Sequence, residues 1–313
     1  MTINYHEALE ELSTIGDLIR WTASRFYEQN LHFGHGTDNA WDEAVALVLQ
    51  ALSLTVNFDA KLLSARLTRQ ERQKILGWVK QRITQHIPLA YLTHKSWFAN
   101  LEFYVDERVL IPRSPIAELI NNQFTPWVSP QSVHRILDLC TGSGCIAVAA
   151  AINFPSAQVT ATDISQDALA VAQINCEHYD LTQQIQLIHS NLFKKLPVEA
   201  YDIIVSNPPY VSAEEINSLP AEYRHEPELA LLAEEKGLAI VLQILKTASK
   251  YLSPHGILVV EVGNSQQALV ELLPEVPFVW LEFDQGGEGV FLLTAEELHN
   301  CQSIVDKFSG WTS

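Results

Sequence analysis

Asn207, Pro208, Pro209 and Tyr210 follow one another in the stretch "YDIIVSNPPYV" (Tyr201 to Val211), and their types suit one kind of chemistry. A planar amide or amino nitrogen delocalises its lone pair and is a poor nucleophile. A protein that transfers a methyl group to such a nitrogen must accept its N–H hydrogens, so that the lone pair localises toward the electrophile. The side-chain carbonyl of Asn207 and the backbone carbonyl of Pro208 are two acceptors on one corner, and proline supplies no competing donor. Tyr210 offers an aromatic face to a planar group. A stiff corner matters because transfer needs the reacting atoms held near contact distance. No strong general base is required, since the nitrogen becomes acidic as it is alkylated. An ordinary proline-bent loop accounts for Pro208 and Pro209 but not for the whole string.

The corner needs a strand to carry it, and Ile203, Ile204 and Val205 are β-branched residues suited to a sheet interior. From about Arg113 onward, strand patterns alternate with helical ones. "HRILDLC", "AQVTATD", "IQLIHS", "YDIIVS" and "GILVVEVG" read as strands; "GCIAVAAAIN", "SQDALAVAQINCEHY" and "GLAIVLQILKTASKYL" read as helices. Such alternation predicts βαβ units and a mostly parallel sheet covered on both faces. The two runs in "VPFVWLEFDQGGEGVFLLT" predict a closing antiparallel hairpin at the sheet edge.

In open α/β sheets ligands bind beyond the carboxyl ends of the strands. At the first tip, "DLCTGSG", Gly142 and Gly144 permit a tight turn and close approach of a ligand, with Cys140, Thr141 and Ser143 between and beside them. Asp138 is placed to hold a cationic group or to brace that loop. Gly142, Gly144 and Ala147 also satisfy a dinucleotide fingerprint, so the loop alone does not choose a ligand. Asp163, at the second tip, suits the hydroxyls of an adenosine ribose, though it also precedes Ser165, a helix-capping type. Asn191 and Leu192, at the third, provide an amide and an apolar face where an adenine ring would fall. These three tips leave a nicotinamide dinucleotide and S-adenosylmethionine equally open. The fourth, Asn207 to Tyr210, has a use only for the methyl donor.

The first ninety or so residues read as helices. "INYHEALEELSTIGDLIRWTASRFYEQN" places Leu9, Leu12, Ile15, Ile19 and Phe26 at helical intervals, and "HFGHGTDN" ends it. A second run extends to about Leu54, and Thr68 with Glu71 forms a capping box for a third through "KILGWVKQRI". "SWFANLEFYVDERVLIP" reads as a short hairpin between two domains. The expected boundaries are residues 1–92 for a helical substrate-recognition domain, 93–112 for the linker hairpin and 113–313 for the catalytic domain.

With 313 residues and a net charge of −17, the chain is poorly equipped to grip a phosphate backbone but would steer a basic partner inward. No direct nucleic-acid binding is expected, nor a membrane span or signal peptide. The four cysteines show no paired spacing and the eleven histidines no ligand spacing, so neither disulfides nor a metal site is expected. The expected location is the cytoplasm.

Together, "DLCTGSG", "ATDIS", "IVSNPPYV", "HEPELALLAEEKGL" and "LVVEVG" resemble the class I S-adenosylmethionine-dependent methyltransferases. More narrowly they are similar to the protein-glutamine N5-methyltransferases, the HemK-like family, over nearly the whole chain. The resemblance implies a helical N-terminal domain and a Rossmann-like seven-stranded α/β catalytic domain. It implies S-adenosylmethionine held at Cys140 through Gly144 and at Asp163, and an acceptor glutamine held by Asn207, Pro208, Pro209 and Tyr210. Cys140 stands where many relatives have glycine, and Asn191 where many have aspartate. "VLIPRSPIAELI" and "FDQGGEGVFLL" resemble the branch that methylates large-subunit ribosomal protein number three, which fits the acidic charge. Release factors are the alternative acceptors within the family. An exocyclic amino group of a nucleic-acid base is a more distant one, which would require a basic surface for base flipping.

Overall fold

The structure, a computed structural model, describes residues 3–55, 57, 59–284 and 286–307. Two compact units emerge: residues 1–96 with 220–225, and residues 97–219 with 226–313.

The helical unit contains α1 (Tyr5–Glu11), α2 (Ile15–Glu28), α3 (Ala40–Ala51), α4 (Arg69–Gln85) and α5 (Leu89–Thr93). The stretch whose spacing predicts one long first helix is two helices, α1 and α2, because Thr14 interrupts it. Its hydroxyl caps the Asp17 N–H at 3.1 Å, and the Asp17 carboxylate returns to the Thr14 N–H at 2.9 Å. This capping box starts a helix within a stretch whose apolar spacing continues unbroken. The second box, Thr68 with Glu71, opens α4 as its sequence predicts. Leu18, Phe26, Leu47, Val48, Ile75 and Val79 fill the core of this unit.

A buried arginine lies within the same unit. Arg82 on α4 is 1% exposed, and its guanidinium bonds Glu43 at 2.6 Å, Glu222 at 2.9 Å and the His32 carbonyl at 2.7 Å. Glu222 also accepts the His32 N–H at 3.1 Å, and the ring of Tyr223 lies 4.6 Å from that of His35. The segment 220–225, far away in sequence, is thus fastened by a buried charge that is paired and hydrogen-bonded through each of its three nitrogens.

Strand β1 (Ser96–Phe98) starts on the residue before the catalytic unit begins, and with β2 (Leu101–Phe103) it forms the predicted two-stranded hairpin. The main sheet of that unit holds β3 (Arg135–Leu139), β4 (Gln158–Asp163), β5 (Ile185–His189), β6 (Tyr201–Ser206), β7 (Leu252–Glu261), β8 (Val279–Trp280) and β9 (Val290–Thr294). Strand order is β5-β4-β3-β6-β7-β9-β8, parallel throughout except for β9, antiparallel to both β7 and β8. The β8–β9 hairpin closes one edge of the sheet, as the sequence predicts. Alternate residues explain the apolar runs: Ile203 and Val205 enter the core under one face, while Ile204 enters the other. Helices α6 (Ile116–Asn121), α7 (Cys145–Asn153) and α8 (Gln166–His178) cover the first face, and helix Ala239–Ala248 covers the second. Strand order reverses between β3 and β6, whose ends pair as Leu139 with Ser206. That switch point is where a crevice opens. It puts the glycine loop and the Asn207 corner side by side.

Candidate active site

A cavity of about 220 Å³ opens beyond these strand ends, within the catalytic unit. Cys140 to Ser143, Asp163, Asn191, Leu192, Asn207 and Pro209 all line it. Residues from all four predicted tips therefore meet in one place. Four others do not face it. Gly144 lies behind the loop, with a positive φ of 78°, and a Cβ there would come within 3.0 Å of the Ala172 side chain on α8. It lets α7 and α8 pack closely. Asp138 lies fully buried under the same loop. Pro208 is buried too, and Tyr210 is held to one side by contacts described below.

The loop is braced by carboxylates. Asp138 Oδ2 accepts the Thr141 hydroxyl and the Ala147 N–H, fixing the start of α7, while Oδ1 has no partner. Burial, with the nearby Asp163 charge, pushes the Asp138 carboxyl up to about 7. Asp163 accepts the Gly142 N–H and the Ser165 N–H, each at 2.9 Å. Burial raises its carboxyl, and the N–H groups of Ser165 and Gly142 oppose the rise. Asp163 both braces the glycine loop and faces the cavity, and Ser165 caps α8 through the Ala168 N–H at 3.1 Å. Cys140 adopts a positive φ of 59°, the conformation for which glycine is the usual choice. Burial raises the thiols of both Cys140 and Cys145, the latter to about 12.

Several cavity residues carry no signal in local motifs. Arg113 grips Glu226 through two bonds of 2.6 and 2.8 Å, and Glu226 also accepts the Ile111 N–H at 2.9 Å. Arg108 is paired with Asp106 at 2.6 and 2.8 Å. Leu229, 57% exposed, forms an apolar lip, and Ile240 and Gln243 come from the helix on the second face. Pairing across more than a hundred positions, that of Arg113 with Glu226, joins two parts of this wall. The strings "HEPELALL" and "IPRSP" contain its residues without marking what they pair with.

The donor set fits S-adenosylmethionine. A ribose would find the Asp163 carboxylate, and an adenine would find Asn191 and Leu192, all of which line the cavity. Among the described residues no group of His, Cys, Asp or Glu could hold a metal ion.

Sheet order, switch point and donor set define a class I S-adenosylmethionine-dependent methyltransferase. Residues 123–222 match the model of the methyltransferase small domain. A ribosomal protein uL3 glutamine methyltransferase from Neisseria gonorrhoeae is 50% identical over 295 residues, covering 94% of this chain and 98% of that protein. The protein of the same name from Francisella tularensis is 46% identical over 303 residues, covering 96% of each. Solved structures include the catalytic domain of human Mettl16 with an RNA hairpin, at TM-score 0.48 and 18% identity over 72% of this chain and 80% of that one. The chain belongs to the ribosomal protein uL3 glutamine methyltransferase family.

Proposed function

We propose that the protein methylates the side-chain amide nitrogen of a glutamine in ribosomal protein uL3, in the cytoplasm. The observation that carries this reading is Asn207, which follows directly from β6, lines the cavity and stands beside the glycine loop at the switch point. Among the described residues no hydrogen bond engages its side chain, leaving the carbonyl free to accept an N–H of the acceptor amide. The second N–H is assigned to the backbone carbonyl of Pro208, next along the same corner, although the residue itself is buried and does not line the cavity. Two accepted hydrogens draw the nitrogen lone pair out of conjugation and aim it across the cavity. When bound, S-adenosylmethionine supplies an electrophilic methyl group on a sulfonium whose leaving group is a neutral thioether. Asp163 and the loop it braces orient the donor, and Pro209, Pro227, Ala230 and Leu232 give the cavity apolar lining beside the reacting centre. The proton leaves to water once alkylation has made the nitrogen acidic.

Relatives of 46–50% identity carry the uL3 glutamine methyltransferase name, which favours this acceptor over release factors. The net charge of −17 favours a basic protein over a nucleic-acid base. Selection among acceptor proteins is assigned to the helical unit, which contributes no residue to the cavity lining. The test is incubation with radiolabelled S-adenosylmethionine and ribosomal components from cells lacking this activity. Label in one basic protein of the large subunit is the expected result; label in ribosomal RNA would refute the assignment.

A further inference from the structure

Glu261 ends β7 with 5% exposure, and the transfer step described above makes no use of it. Its two oxygens hold different parts of the catalytic unit. Oε1 accepts the Tyr210 hydroxyl at 3.0 Å, and Oε2 accepts the Ser114 hydroxyl in a short hydrogen bond. Ser114 lines the cavity, beside the Arg113 that grips Glu226. A single buried carboxylate therefore joins the cavity wall to the end of the Asn-Pro-Pro-Tyr corner. Burying a carboxylate is costly, and a purely structural strand end has no need of one.

Tyr210 is held at its hydroxyl, its carbonyl and its ring. Its carbonyl accepts the Ser265 hydroxyl at 3.1 Å, which also bonds the Lys236 carbonyl at 3.0 Å. Its ring lies on the backbone of Gly263, where any Cβ would come within 2.6 Å of ring carbon Cε2. Such anchoring fixes the corner upstream, since Pro208 and Pro209 transmit orientation with little slack. The wall is anchored as well. A Cβ at Gly287 would come within 2.8 Å of the Pro115 side chain, and the Asp284 N–H reaches the Glu118 carboxylate at 3.1 Å. The two segments whose sequences mark the uL3 branch thus pack together next to Ser114.

We propose that Glu261 is a positioning residue for the acceptor amide, acting through Tyr210 and Ser114 to set the Asn207–Pro208 carbonyls against the cavity wall. The proposal rests on the methyltransferase reading given above. Its test has one arm that needs no activity: amide hydrogen exchange at Asn207, Tyr210 and Val211 in the cofactor-free protein. Glu261→Ala speeds exchange there, raises KM for the acceptor protein about tenfold, and leaves cofactor affinity by calorimetry unchanged. Glu261→Gln recovers most of the loss, because its carbonyl still accepts from Tyr210 and its amide donates to Ser114. Tyr210→Phe shows a loss like that of Glu261→Ala, and combining the two adds little further. If Glu261→Ala does not fold, Tyr210→Phe against Glu261→Gln still decides, since only the former should speed exchange and raise KM. Unchanged exchange in Tyr210→Phe, additive losses, or an equal fall in cofactor affinity would overturn the proposal. A wild-type protein that methylates no protein would instead sink the function while leaving the exchange result intact.

Discussion

Replacing Asp163 by alanine removes a cavity-facing carboxylate and also unfastens the Gly142 and Ser165 N–H groups that it holds. Cofactor affinity should fall by about 2 kcal/mol, the worth of hydrogen bonds to a buried charge. Calorimetry at constant pH checks this, and unchanged affinity would remove the ribose role. The cysteines make a second prediction at this scale. Burial pushes the Cys145 thiol up to about 12 and raises that of Cys140, so both stay protonated near neutral pH. Iodoacetamide should modify them far more slowly in the folded protein than after denaturation, as read by mass spectrometry. At this scale the sequence is most informative where a residue type has one obvious use. Asn207 is such a residue. Glu261 and Glu226 are not, because their partners lie 51 to 147 and 113 to 115 positions away.

Among the elements, α4 carries the residue on which segment 220–225 depends. Burial alone would raise the Glu222 carboxyl, but the Arg82 guanidinium outweighs it and holds that group at about 2. A depressed carboxyl stabilises the fold above its ordinary value of 4.5, and that contribution disappears as pH falls toward about 2. Glu222→Gln should therefore lower Tm near neutral pH, by the equivalent of about 2 kcal/mol, with the gap to wild type closing below pH 4.5. Thermal melts across that range decide it; a pH-independent gap would mean that the charge pair contributes nothing. Strand and helix patterns made most elements legible, since β-branched runs and capping boxes act locally. The break between α1 and α2 was harder to see because apolar spacing continues through it. The fastening of 220–225 left no local trace, for a buried ion pair between distant residues looks in sequence like two surface charges.

On the scale of the whole molecule, the charge of −17 makes approach of a basic acceptor dependent on salt. Raising ionic strength should raise KM for the acceptor while leaving kcat and cofactor affinity nearly constant. Steady-state kinetics at several salt concentrations check this, and a salt-independent KM would show that long-range attraction plays no part. The parallel sheet with its terminal hairpin was legible as a whole because alternating strand and helix patterns permit few topologies. The cavity was legible only as four separate strand tips. Their meeting follows from the order of β3 and β6, which pattern alone does not state.

The claim on which the account most depends is that Asn207 draws the acceptor nitrogen's lone pair out of the amide. Single-turnover methyl transfer by Asn207→Ala, with cofactor bound at saturation, tests it most directly. The rate should fall by about a hundredfold or more, comparable to removing one preorganised hydrogen-bonding group from an active site, with cofactor affinity little changed. A transfer rate equal to that of the wild type would contradict it.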